Sequence, residues 1–157
     1  MRYIALLSVA ISAQFLVGCH QSQAASAEKE PEPTGTVVAA PTSNDPAKWN
    51  ASLDAVAAAP NNHKIVLEND RVRVLEVTVQ PGEKEPLHEH RWASVLYVQA
   101  KDKIRDYNAD GKVTYDTEKD PNPKKAPYTI WMEPQSAHAI ENLSKEPLRL
   151  IRVELKK

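Results

Sequence analysis

Pro81-Gly82-Glu83-Lys84-Glu85-Pro86-Leu87-His88-Glu89-His90, continued by Arg91-Trp92-Ala93-Ser94-Val95-Leu96-Tyr97-Val98, is the stretch on which the fold turns. A Pro-Gly turn leads into a segment that carries two histidines two residues apart. In a strand, side chains at i and i+2 share a face, with Cα atoms roughly 6.5–7 Å apart. His88 and His90 can therefore converge on one point, as a metal ion requires of a sheet. A third histidine, His138, stands in the later apolar stretch Ser136-Ala137-His138-Ala139-Ile140-Glu141-Asn142.

Around this stretch the chain reads as strands. Lys64 to Glu68, Arg71 to Val79, Ala93 to Gln99, Lys103 to Tyr107, Lys112 to Tyr115, Tyr128 to Met132, Ala137 to Glu141 and Leu148 to Leu155 are short, rich in β-branched or aromatic residues, and separated by turns. Asn108-Ala109-Asp110-Gly111 is a hairpin signal, with glycine where positive φ is required. Residues 117–127 form a charged, proline-rich loop. About eight short strands with no helix between them predict an all-β antiparallel sandwich or barrel. Ahead of them, Asp45 suits an N-cap and Pro46 a first helical position. Trp49, Leu53 and Val56 follow at helical spacing. A short helix over about 46–58 is expected to pack Trp49 onto the barrel.

The N-terminus has a different character. Arg2 precedes an apolar run from Ile4 to Val17, too short to span a bilayer and suited to the hydrophobic region of a signal peptide. Leu16-Val17-Gly18-Cys19 resembles the lipobox of bacterial lipoproteins. That resemblance implies removal of residues 1–18, acylation of Cys19 and a membrane partner reached through an N-terminal lipid, on the periplasmic side of a bacterial membrane. The alternative is an ordinary secretory signal cut near Ala24 to Ala27. Cys19 is the only cysteine of the 157 residues, so no intramolecular disulfide can form. Residues 19–44 are mostly Ala, Ser, Glu, Pro and Thr, and bury too little to order themselves, as a flexible tether would. The domain plan is thus a signal over 1–18, a tether over 19–44, a short helix over 45–60 and a barrel over 61–157. Net charge is −1, and the charges are mixed without a basic stripe, which argues against a nucleic-acid partner.

The histidine motifs resemble those of the cupins. Gly82, five residues, then His88-Glu89-His90 is similar to the first cupin motif, and His138-Ala139-Ile140-Glu141-Asn142 is similar to the end of the second. The resemblance covers about residues 62–157. It implies a cupin-like double-stranded β-helix, a jelly-roll barrel, with His88, His90 and His138 as metal ligands inside it. The chain departs from the pattern where the first motif has a glutamate, at position 94 or 95. Ser94 shares the parity of the histidines and is the inward-facing substitute. The closing glycine of the first motif is absent, and Glu133 and Gln135 stand where the second has Pro and Gly.

Three imidazoles suit a divalent metal such as Fe, Zn, Mn or Ni, with positions left for water or substrate. The alternative is a degenerate site lining an empty or organic-ligand pocket. Trp92, of the same parity as His90, is expected at the pocket mouth. Asn142 is expected to orient a ligand histidine by hydrogen bond. His63 is expected to be a solvated turn residue, and Glu89 and Glu141 to point away from the cluster. Arg73, Glu76 and Arg152 lie in apolar strands, where a charge needs a partner. Two functions remain open: a metal-dependent oxygenase or isomerase acting on a small molecule, or a module that binds a small ligand without turnover. No catalytic residue is assigned, and a homodimer is left open.

Overall fold

The computed structural model describes residues 45–156. The signal segment, Cys19 and the tether lie outside the described residues.

The described chain starts with two single 3-10 turns, Pro46–Lys48 and Ala51–Leu53, and a one-turn helix α1, Ala55–Ala58. The continuous helix expected over 46–58 is therefore broken into three pieces. The reason is local: the side chains of Asp45, Asn50 and Asp54 accept from the backbone N–H of Ala47, Ser52 and Val56. Each residue caps its own turn and holds the chain out of helical geometry just before it. Trp49 is half-buried, while Leu53 and Ala55 are the buried residues of this segment.

Nine strands follow among the described residues: β1 His63–Glu68, β2 Val72–Val79, β3 His88–His90, β4 Ser94–Ala100, β5 Ile104–Asn108, β6 Val113–Asp116, β7 Tyr128–Met132, β8 Gln135–Asn142 and β9 Leu148–Leu155. They form a five-stranded sheet in the order β1-β2-β9-β4-β7 and a four-stranded sheet in the order β3-β8-β5-β6. The strand pairings are antiparallel. The positive φ of Gly82 and Gly111 lies at the two turns where the sequence demanded it.

The register explains how one barrel holds both a core and a polar site. On β9 the inward residues are Leu148, Leu150, Arg152 and Glu154. On β2, Val79, Val77, Leu75 and Arg73 stand opposite them in turn. On β4, Val98, Leu96 and Ser94 stand opposite Leu150, Arg152 and Glu154. One end of the interior is therefore aliphatic and the other polar; β9 turns polar at Arg152, still flanked by Leu75 and Leu96, and β2 and β4 turn polar one pair later, at Arg73 and Ser94 beside Glu154. Leu75, Val77, Val79, Leu96, Val98, Ile104, Leu148 and Leu150 make the core. Leu75 and Val79 are fully buried, each worth roughly 1.5–3 kcal/mol of apolar transfer.

Candidate metal centre

Four histidines, not three, meet at the polar end of the barrel. His88 lies directly across from His138 in the β3–β8 pairing. A register shift after His88 sets Gln135 opposite His90. His63 enters from β1, where it stands opposite Val77. The ring of His88 is 4.5 Å from those of His63 and His138 and 4.9 Å from that of His90. Ligand nitrogens of His63, His88 and His90 all lie within 4.8 Å of one another. The expectation that His63 is solvated is thus corrected: it is buried, and it stands in the cluster.

Each ring is held by an oxygen on Nδ1. The acceptors are the carbonyls of Ala59 for His63 (3.3 Å), Pro86 for His88 (2.9 Å) and Ser136 for His138 (2.9 Å). For His90 the acceptor is Glu154 Oε1, at 2.7 Å. A carbonyl oxygen cannot donate, so Nδ1 must carry the proton and Nε2 keeps its lone pair. Burial moves the imidazoles in the same direction, towards the neutral form. Burial, then the neighbouring His88, depresses His63 to about 2. Burial depresses His88 to about 4, and burial with the nearby His88 depresses His138 to about 3. Burial holds His90 well below its usual range. At neutral pH the four rings are uncharged donors whose second nitrogen is fixed, which is how histidines are prepared for a metal.

The carboxylate that the cupin resemblance places on β4 is found one strand over. Ser94 is fully buried on the inner face as expected, but its Oγ has no hydrogen-bond partner. Its cross-strand neighbour is Glu154, which accepts from His90 Nδ1 and from Arg73 Nε. Arg73 in turn gives Nη1 and Nη2 to Asp54, at 2.8 and 3.0 Å. A chain Asp54–Arg73–Glu154–His90 therefore runs from the α1 cap to the cluster. The requirement that Arg73 be paired is met by this chain, while Glu76 is exposed.

Two further acids line the same cavity. Glu85 Oε1 lies 3.9 Å from His88 Nε2 and accepts from the Ile140 N–H, while Oε2 has no partner. Burial pushes its carboxyl up to about 8. Asp106 on β5 is pushed up to about 6, also by burial. Arg152 lines the cavity as well, with Nη1 donated to Gln135 at 2.7 Å. The cavity is about 110 Å³ and shares Leu96, Asp106, Met132, Ile140, Leu148 and Leu150 with the lining of an adjacent chamber of about 470 Å³.

Two expected pocket residues are placed elsewhere. Asn142 is buried, but its amide donates to the Val79 and Glu146 carbonyls and accepts from Ser144. It ties the β8–β9 turn rather than a histidine. Trp92 lies beneath the Arg73 guanidinium at 4.8 Å and near Lys156 at 5.5 Å, outside the cavity wall. Glu89 and Glu141 are not among the residues lining the cavity. Glu89 is nevertheless buried, its backbone bridged to Asp54, and Glu141 accepts from the Tyr107 hydroxyl.

No family model matches the chain, and no curated protein sequence matches it. Solved structures do. A cupin domain from Bordetella pertussis Tohama I superposes with a TM-score of 0.50 at 19% identity, over 60% of this chain and 92% of that one. An RmlC-like cupin with a double-stranded β-helix from Methanocaldococcus jannaschii gives 0.45 at 13% identity, over 59% and 77%. A double-stranded β-helix protein from Klebsiella pneumoniae gives 0.45 at 21%, over 60% and 75%. The described domain has the cupin fold, an all-β double-stranded β-helix with a minor helical segment ahead of it.

Proposed function

We propose that this barrel is a divalent-metal centre held by His63, His88, His90 and His138, acting on a small molecule admitted through the outer chamber. The observation that carries this reading is the common state of the four rings: each Nδ1 is bound to an oxygen, which leaves Nε2 as the nitrogen with a lone pair to offer. Ligand nitrogens of His63, His88 and His90 lie within 4.8 Å of one another, as one metal ion requires, and the His138 ring stands 4.5 Å from that of His88 to add a fourth nitrogen. A bound ion would supply Lewis acidity and lower the pKa of a bound water.

The chain's own groups do the rest. Glu154 and the three carbonyls orient the ligands. Glu85, beside His88 and with one free oxygen, is placed to hold or pass a proton at Oε2. This is the acid–base group that a metal-dependent oxygenase or isomerase needs, and it favours turnover over passive binding. The set of four nitrogens beside one carboxylate suits Fe, Zn or Ni better than Mn.

The test is metal content. Protein purified without an affinity tag should carry about one equivalent of metal by elemental analysis. His63→Ala, His88→Ala, His90→Ala and His138→Ala should each lose most of it while circular dichroism stays that of a β-barrel. Unchanged content in the four variants would overturn the proposal. We also propose, on Leu16-Val17-Gly18-Cys19, that the barrel is lipid-anchored outside the cytoplasm. Cys19→Ala should then abolish membrane partition, and a wild-type protein recovered wholly in the soluble fraction would refute the anchor.

A further inference from the structure

Among the described residues, Arg152 is a buried cation of the barrel interior whose hydrogen-bonding capacity is left open. It is 3% exposed and lines the cavity beside the histidines. Nη1 is taken by Gln135, but neither Nε nor Nη2 has a hydrogen-bond partner. Its nearest carboxylate is Glu154, whose Oε1 is 3.7 Å from Nε. That distance makes an ion pair but is too long for a hydrogen bond, so Glu154 offsets the charge of Arg152 without satisfying its donors. Both Asp54 oxygens are committed to Arg73. A buried guanidinium with two idle donors is costly unless something brings it an acceptor.

The space in front of it has a definite character. Beyond the cavity the chamber is walled by aliphatic side chains, among them Leu96, Val98, Ile104, Ile130 and Leu148. At its rim, Lys101 Nζ lies 5.4 and 5.6 Å from the rings of Tyr115 and Tyr128, and Lys124 Nζ lies 5.7 Å from that of Tyr128. Aliphatic walls do not suit a sugar or another polyol, whose hydroxyls would go unpaired. Asp106 and Asp120 stand on the same lining and balance these two lysines, so the selectivity rests on Arg152 rather than on the rim. A planar guanidinium edge is matched by a carboxylate.

We propose that the substrate is a small monocarboxylic acid with an apolar body, its carboxylate on Arg152 beside the histidine cluster and its body in the aliphatic chamber. This rests on reading the barrel interior as the site of a small-molecule ligand, and it names the class of that ligand. Orientation follows from the two ends: the acid head goes inward past Leu96 and Leu150, and the body stays between the head and the rim lysines.

Three probes test this on the full-length protein without any change to its sequence: benzoate, its neutral isostere benzamide, and acetate, which lacks the apolar body. Affinities are measured by calorimetry in chelated protein and again after Zn(II) loading. Benzoate should bind about tenfold tighter than benzamide, as a charge-assisted pair on a buried guanidinium requires, and tighter than acetate by a similar factor. Both preferences should be present in the chelated protein. In Arg152→Gln the preference for benzoate over benzamide should vanish while both still bind. Equal affinity for benzoate and benzamide would overturn the proposal, and so would a preference that appears only after Zn(II) loading, since the metal would then be the anchor. Equal affinity for acetate and benzoate would overturn the apolar body. A wild type that takes no Zn(II) yet shows both preferences would sink the metal reading and leave this one standing.

Discussion

Replacing Glu154 by Gln isolates what the carboxylate on β9 does for the site. The side chain is fully buried and accepts from His90 Nδ1 at 2.7 Å and from Arg73 Nε. An amide of the same shape can still accept from His90, so ring position and tautomer are retained. What is lost is the ionic character of the bond, which makes it roughly twice as strong as a neutral one. With charged hydrogen bonds worth about 1.5–3 kcal/mol and neutral ones about 1, the loss is about 1.5 kcal/mol. That corresponds to about tenfold in metal affinity, the lower end of the 10–100-fold typical of groups that orient ligand histidines. Competition for Zn(II) against a chromophoric chelator measures it. Folding stability falls too, because Arg73 loses one of its two carboxylate partners. Asp54→Asn separates the two effects, since it weakens Arg73's other partner without touching His90. It should lower the melting temperature and leave Zn(II) affinity within about twofold of wild type. Equal affinities in wild type and Glu154→Gln, or the same loss in Asp54→Asn, would refute the reasoning.

In acid the chelated protein should lose stability before its carboxylates explain it. The four histidines titrate lower in the folded than in the unfolded chain, where the usual value is 6.5, so below 6.5 the unfolded state takes up more protons. Stability from these groups is complete above 6.5 and is lost as pH falls through the folded values, about 4 for His88, about 3 for His138 and about 2 for His63. Glu85, Asp106, Glu89 and Glu154, all raised by burial, act in the opposite sense and offset part of this loss. Melting of chelated protein at pH 7.5 and 5.5 checks this; an equal or higher midpoint at 5.5 would contradict it. Ser94→Ala removes a buried hydroxyl with no partner, so it should be neutral or stabilising by up to about 1 kcal/mol in chemical denaturation. A loss above that would mean that Oγ holds something essential. Ser94→Glu should destabilise chelated protein by several kcal/mol, because a second buried carboxylate would face Glu154 across the strands.

Local sequence determined the strand set closely. Tyr128 to Met132 and Leu148 to Leu155 have the expected limits, and most other strands differ by a residue or two. Alternation and turn chemistry act between near neighbours, so a linear reading sees them. The same parity put His88 and His90 on one face, and the demand that Arg73 and Arg152 find partners was legible as charge in an apolar strand. Glu154 carried that signal too, at the parity of Arg152, and went unread. Other features depend on which strands become neighbours. His63 stands 25 positions before His88 in a strand without inside–outside alternation, and only the β1–β2 pairing brings it to the cluster. Glu85 is out of phase with His88, and the intervening Pro86 resets the phase that a strict period of two would carry through. The order β2-β9-β4 sets Glu154 across from Ser94 and gives the site its carboxylate from the far end of the chain. Strand order is decided by burying all the inward faces at once, a property of the whole barrel that no short window of sequence contains.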